Sequence, residues 1–102
     1  IFTEFKGALT EQYVFQQLIL RYSPYYYSKA ASTQEIDFLL QDDEDAIVPL
    51  EVKAETNVRA KSLRQFVADN QSPKAFRISM NDYKEEEWVT NVPLYAVDGF
   101  VF

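Results

Sequence analysis

The stretch from Gln34 to Ala54, QEIDFLLQDDEDAIVPLEVKA, constrains the fold more than any other part of the sequence. Apolar residues alternate on both sides of the acidic run at 42–45, which predicts two antiparallel strands joined by an exposed turn. A turn centred on Glu44 gives one wholly apolar face, because three apolar pairs then meet: Ile36 with Val52, Phe38 with Leu50, and Leu40 with Val48. A slip of one residue would move this apolar set to the other face, so the register is well specified.

The same register places Asp37 directly opposite Glu51, with β-carbons about 4.5–5.5 Å apart. Two facing carboxylates destabilise a hairpin unless a positive charge lies between them. A divalent cation could supply that charge, and so could Lys53, which follows Glu51 by two residues and therefore shares its face. The register also pairs Glu35 with Lys53, so an ordinary cross-strand ion pair remains a structural alternative for the lysine.

Neither cysteine nor histidine occurs in the sequence. Disulfides, thiolate or imidazole zinc sites and histidine-based triads are therefore excluded, and any metal must be held by oxygen, as Mg²⁺, Mn²⁺ and Ca²⁺ are. No apolar run approaches the roughly 18 residues of a membrane span, so we expect no membrane contact and a cytoplasmic location. The 102 residues, 47% of them hydrophobic, predict a single domain over 1–102. Because the sequence opens at Ile1 without methionine, we expect it to be part of a longer protein.

Charge is distributed unevenly along a sequence whose net charge is -6. Residues 53–77 form a basic island with six basic and two acidic side chains, and the basic ones are Lys53, Arg59, Lys61, Arg64, Lys74 and Arg77. Such an island could contact nucleic-acid phosphates. A solvated helix face with ordinary surface charges explains it equally well.

Periodicity predicts the order α, β, β, β, α, β with a C-terminal extension, which is an α/β fold with a mixed sheet flanked by helices. The predicted helices cover 7–22 and 61–70, and the predicted strands outside the hairpin cover 25–29, 74–80 and 92–97. Residues 30–33, 55–60 and 81–87 are predicted connections. Pro93 favours an edge position for the last strand. On the core face of the first helix Glu11 lies among apolar residues, and a buried carboxylate needs a partner.

The pattern Glu11, Asp37 and Glu51-x-Lys53 over this order of elements resembles the PD-(D/E)xK nuclease superfamily, which has the restriction-endonuclease-like fold. The segments KGALTEQYVFQQL, EIDFLL, VPLEVKAE, AKSLRQF and NVPLYAV, between residues 6 and 97, resemble a domain of unknown function. That domain lies C-terminal to the ATPase module in prokaryotic AAA+-type ATPases. Ile36 departs from the proline in the superfamily's name.

The resemblance implies an assignment for each matching position. Glu11, Asp37 and Glu51 would hold Mg²⁺ or Mn²⁺, and Asp37, Glu51 and Lys53 would be catalytic in phosphodiester hydrolysis. DNA would be the favoured substrate, with the N-terminal ATPase domain of the same polypeptide as a partner.

Three hypotheses remain open from the sequence. The first is a metal-dependent nuclease domain attached to an ATPase. The second is a nuclease-like module that no longer cleaves and that recognises a partner or senses nucleic acid through Arg59, Lys61 or Arg64. The third is a structural or oligomerisation domain, which would bind neither metal nor nucleic acid.

Overall fold

The computed structural model describes residues 2–28, 35–54 and 61–100 of the protein. Its helices are α1 (Phe2–Leu18) and α2 (Lys61–Asn70), and a 3₁₀ helix (Leu94–Gly99) follows the last strand. The strands are β1 (Tyr25–Ser28), β2 (Glu35–Gln41), β3 (Ile47–Val52), β4 (Phe76–Ser79), β5 (Lys84–Glu85) and β6 (Thr90–Pro93). The predicted α/β class is confirmed, and so is the order α, β, β, β, α, β of the first six elements. The predicted connections 30–33 and 55–60, and Arg59 with them, lie outside the described residues.

The strands form one six-stranded mixed sheet in the order β1-β2-β3-β4-β6-β5. Strands β1, β2 and β3 are antiparallel neighbours, whereas β3, β4 and β6 run parallel. A parallel pair requires a long crossover connection, and α2 lies within the connection from β3 to β4. The hairpin and the crossover therefore meet at β3, the strand that carries Glu51.

Two hydrophobic clusters cover the two faces of this sheet. The α1 cluster consists of Val14, Leu18, Phe38, Leu40, Val48, Leu50, Ile78, Val92, Val97 and Phe100. The α2 cluster consists of Ile36, Leu63, Phe66, Ala75 and Val89. In the α1 cluster, the rings of Phe15 and Phe38 stack with centroids 5.9 Å apart. The helix faces predicted to be buried, with Val14 and Leu18 on α1 and Leu63 and Phe66 on α2, are those that pack on the sheet.

The hairpin has the predicted register from Phe38 opposite Leu50 to Gln41 opposite Ile47. Its turn is an exposed acidic loop, as predicted. The Asp42 carboxylate accepts hydrogen bonds of 2.9 Å from the backbone N–H groups of Glu44 and Ala46. This side chain thus caps the backbone of the turn, which is a common role for aspartate in turns.

Strand β2 contains a bulge that alternation in the sequence does not predict. Tyr25 of β1 pairs with Leu39, whereas Tyr27 pairs with Ile36, so Asp37 and Phe38 together oppose the single residue between the two tyrosines. The extra residue changes the alternation of the strand. As a result, the prediction that Ile36 shares a face with Phe38 is wrong, because Ile36 packs in the α2 cluster and Phe38 in the α1 cluster.

Several predicted boundaries are also corrected. Helix α1 ends at Leu18 because the backbone tightens into a turn there, with Arg21 N–H donating to the carbonyl of Leu18 at 3.1 Å. The last strand is Thr90–Pro93, and the predicted strand to residue 97 is replaced by the 3₁₀ helix. It is not an edge strand, since β5, within the predicted 81–87 connection, pairs along its outer side. Pro93 nevertheless lies at the end of β6, where a missing N–H matters least.

Candidate functional site

Asp37 lies where β2 and β3 stop pairing in register. The last registered pair of the hairpin is Phe38 with Leu50, and one residue further the Asp37 Oδ2 atom accepts a 2.7 Å hydrogen bond from the backbone N–H of Val52. The N–H of Lys53 donates to the Ile78 carbonyl of β4 at 2.8 Å, so the N–H of Val52 points the opposite way, toward β2. A side-chain carboxylate therefore continues the hydrogen bonding of the hairpin beyond its paired part.

Glu51 is a buried carboxylate on β3, with 7% of its surface exposed. Its neighbours Leu50 and Val52 pack on the α1 cluster, so Glu51 points to the α2 side of the sheet. Its Oε1 atom lies 3.1 Å from the Lys53 ammonium, while its Oε2 atom is buried and accepts no hydrogen bond from the described part of the chain. Burial raises the pKa of Glu51, the positive charges of Lys53 and Arg77 lower it, and the charge of Asp37 raises it further, with a net rise above 4.5.

Lys53 completes a small charge cluster with these two acids. Its side chain is 35% exposed, so it reaches solvent while its ammonium contacts Glu51. The predicted Glu35–Lys53 pair involves the Glu35 side chain, which lies outside the described side chains. The structure instead shows the other alternative for the lysine, in which Lys53 neutralises Glu51 directly.

Glu11 lies on α1, the helix whose Val14 and Leu18 pack in the α1 cluster. Burial raises the pKa of Glu11, and the negative charge of Asp37 raises it further, so Asp37 acts electrostatically on both glutamates. Among the described side chains, which leave out those of residues 2–5, 26–28 and 35, no three acids lie close enough together to hold one metal ion. The structure thus shows the contact of Lys53 with Glu51 and the electrostatic influence of Asp37 on both Glu11 and Glu51, and the assignment of the three acids as metal ligands stays a prediction.

The remaining pair of acids fits a hard divalent cation in its chemistry. Mg²⁺ binds oxygen and is typically held by one or two protein carboxylates, with water and substrate phosphate completing its shell. None of the residues that the structure describes donates to the buried Oε2 atom of Glu51, which leaves an acceptor for such an ion or for a proton. The site residues and the Mg²⁺ or Mn²⁺ ion stay predictions.

Sequence reasoning missed a buried polar row next to this cluster. Glu51 on β3, Arg77 on β4 and Asn91 on β6 are neighbours in register, and Arg77 and Asn91 are 6% and 1% exposed. The alternation in KAFRISM did contain a signal, because Arg77 and Ser79 occupy the face opposite to Phe76 and Ile78. The pattern could not show that this second face of β4 is also buried in the folded protein.

The basic island is only partly a surface feature. Lys61, Arg64 and Lys74 are exposed, whereas Arg77 belongs to the buried row. The guanidinium of Arg64 lies 5.9 Å from the centre of the Trp88 ring, a cation–π geometry on the outer side of α2. The predicted phosphate-contacting surface therefore has three exposed cations among the described residues.

These features define a class of protein: a small α/β domain with a mixed six-stranded sheet and a carboxylate–lysine cluster where its hairpin opens. The chain belongs to the family described as a domain of unknown function, DUF4143, whose model matches residues 6–97. No curated protein and no solved structure matches it significantly. Within the described part of the protein, neither helix has the length and apolar character that crossing a membrane requires.

Proposed function

We propose that this protein is a nuclease-like domain in which Asp37 and Glu51 hold Mg²⁺ or Mn²⁺ and Lys53 acts on the phosphate of a nucleic acid. One observation carries the proposal: the Glu51 carboxylate contacts the Lys53 ammonium at 3.1 Å, is influenced by the charge of Asp37, and has a buried Oε2 atom to which no described residue donates. An ordinary surface ion pair leaves no such unsatisfied atom, because water would solvate it.

The residues of the site have distinct parts in this proposal. Asp37 is held by the N–H of Val52, which fixes its carboxylate at the opening of the hairpin. Lys53 is partly exposed, so its ammonium can turn from Glu51 to the phosphate and stabilise the charge that develops there. The cation, when bound, supplies Lewis-acid stabilisation of the same phosphate.

The family supports the wider part of the proposal. DUF4143 domains are commonly associated with AAA-type ATPases, and we place this domain after such an ATPase module, on its C-terminal side. The observed order of elements agrees with the αβββαβ core expected for a restriction-endonuclease-like fold. DNA is the proposed substrate, and the exposed cations Lys61, Arg64 and Lys74 would contact its phosphates.

A second candidate is a module of the same fold that does not cleave and that recognises a partner or oligomerises for the ATPase. The specific observation in its favour is the 3.1 Å contact between Lys53 and Glu51, which balances the glutamate's charge without a metal. The described side chains also include no group of three acids close enough together to hold a metal ion.

Calorimetric titration of the protein with Mn²⁺ tests the site directly. Binding is expected for the natural sequence and for Asp69→Ala, which removes an exposed acid of α2, and it should disappear in Asp37→Ala. A plasmid-nicking assay with Mg²⁺ and with Mn²⁺ then tests the reaction, with Lys53→Met expected to be inactive and Lys6→Met, at an exposed position of α1, expected to be active. Binding without nicking under either metal would contradict the nuclease and favour the second candidate, and absence of both would exclude a metal site altogether.

A further inference from the structure

Glu51 has a second cationic neighbour besides Lys53. Glu51 and Arg77 are partners in register on the adjacent parallel strands β3 and β4, so their side chains emerge on the same face about 4.8 Å apart. Both residues are buried, with 7% and 6% of their surfaces exposed. A buried carboxylate is costly unless a countercharge stays beside it, and Arg77 is in position to provide one.

Arg77 is held in place from the side away from Glu51. Its Nε atom donates to the Oδ1 atom of Asn91 at 3.1 Å, and its Nη2 atom lies 3.3 Å from the Glu86 carboxylate. Asn91 is itself immobilised, because its Oδ1 atom also accepts from the Ser79 hydroxyl at 2.6 Å. Its Nδ2 atom donates to two backbone carbonyls at 3.1 and 3.0 Å. All four hydrogen-bonding positions of this amide are therefore used.

The two cations beside Glu51 differ in freedom. Lys53 carries a compact ammonium on a flexible stem and is 35% exposed. Arg77 carries a planar guanidinium that is bound at two of its nitrogens and is shielded from solvent. If the Lys53 ammonium moves away from Glu51, the Arg77 guanidinium therefore stays beside the glutamate and still balances its charge.

We propose that Arg77 is a positioning residue that acts as the permanent countercharge of Glu51, which leaves Lys53 free to move from Glu51 to a bound phosphate. Only the destination of Lys53 rests on the proposed function. The division between a fixed and a movable cation is a property of the protein by itself. The lowering of the Glu51 pKa by both cations agrees with this arrangement.

A double-mutant cycle on stability tests the proposal without measuring activity. Lys53→Met should shift the urea midpoint of the protein only slightly, because Arg77 still balances Glu51. In an Arg77→Met background the same Lys53→Met change should lower the midpoint several times more. Both effects should become additive when Glu51→Gln is added, since the charge that couples them is then absent. Additive effects with Glu51 intact, or coupling that persists in the Glu51→Gln background, would overturn it.

Arg77→Lys provides a second version of the cycle in case Arg77→Met does not fold. This variant keeps a positive charge, but its single ammonium cannot reproduce the two fixed contacts of the guanidinium fork. The coupling between Arg77→Lys and Lys53→Met should be weaker than the coupling expected with Arg77→Met, but still measurable. Fully additive effects of Arg77→Lys and Lys53→Met on the urea midpoint would contradict the proposal. The cycle measures only stability against urea, so its result does not depend on nuclease activity. A protein without nuclease activity can still show the expected coupling, and an active nuclease can lack it.

Discussion

The carboxylate of Asp37 and the backbone N–H of Val52 are joined by a 2.7 Å hydrogen bond, immediately beyond the last paired residues of the hairpin. A residue chosen from the sequence for its chemistry therefore also has a structural task. It ties β2 to β3 at the place where the two strands begin to separate. This double role allows its structural and chemical contributions to be separated by two substitutions.

Asp37→Ala removes the acceptor of the Val52 N–H and should lower the free energy of unfolding by roughly 1.5–3 kcal/mol, the range for hydrogen bonds to charged groups. Asp37→Asn keeps an oxygen acceptor and reduces repulsion with Glu51, so its loss should stay below about 1 kcal/mol. Urea denaturation at neutral pH measures both. Equal losses for the two variants would show that the hydrogen bond contributes little.

Glu11 should make the stability of the protein depend on pH in a defined direction. Burial and the charge of Asp37 raise its folded-state pKa above the ordinary 4.5, so the folded state holds the proton more tightly than the unfolded state. The free energy of unfolding is therefore reduced progressively as pH rises from 4.5 through the raised pKa, and the reduction is complete above that pKa. Glu11→Gln should therefore be more stable than the natural protein at pH 7, and this advantage should vanish below pH 4.5.

The control for this experiment is Glu87→Gln, which removes the same charge at an exposed position. Its urea midpoint should follow that of the natural protein at both pH values. A gain in stability at pH 7 that is as large for Glu87→Gln as for Glu11→Gln would point to the net charge of the protein and not to the surroundings of Glu11.

Phe38→Ala should be strongly destabilising. The side chain is fully buried in the α1 cluster and stacks on Phe15, so its removal should cost about 3–5 kcal/mol in lost burial and residual cavity. Leu20→Ala, at a residue that is 74% exposed, should stay within about 0.5 kcal/mol. Thermal and urea unfolding of the two variants compare these costs, and a similar cost for both would contradict the packing described for α1.

Gln71 closes the C-terminal end of α2 in the left-handed region, with φ of 51°, and the N–H of Ser72 donates to the Val67 carbonyl at 3.3 Å. Glycine is the residue favoured in this position of the cap. Gln71→Gly should therefore raise the free energy of unfolding by about 0.5–1 kcal/mol. The same replacement inside the helix, Gln65→Gly, should lower it by about 1 kcal/mol. Chemical denaturation distinguishes the two signs directly.

Much of the architecture could be predicted because its signals are local. The prediction that α2 runs from about Lys61 to Asn70 is confirmed, since an apolar helical repeat is closely followed by Pro73. The hairpin register followed from alternation on β3, where Val48 and Leu50 both pack on the α1 cluster. Local patterns of this kind predict secondary structure well, because each residue in the segment favours the same helix or strand.

The features that could not be predicted depend on distant neighbours. The bulge at Asp37 and Phe38 is defined by pairing with β1, and a period-two pattern cannot show an unpaired extra residue. The burial of Arg77 depends on Asn91 and Glu86, which follow it by 14 and 9 residues. For the same reason the contact of Lys53 with Glu51 could be predicted within one short segment, whereas the surroundings of Glu11 depend on the packing of a separate helix.

The bulge in β2 has a consequence for comparing this protein with its relatives. Deleting one residue between Ile36 and Leu39 would remove the bulge and leave both of these residues on the side of the sheet that α2 covers. A relative could therefore lack the extra residue and keep both surfaces of the strand. An alignment to such a relative that omits the gap would match its counterpart of Ile36 to Asp37, even if every residue from Leu39 onward were placed correctly.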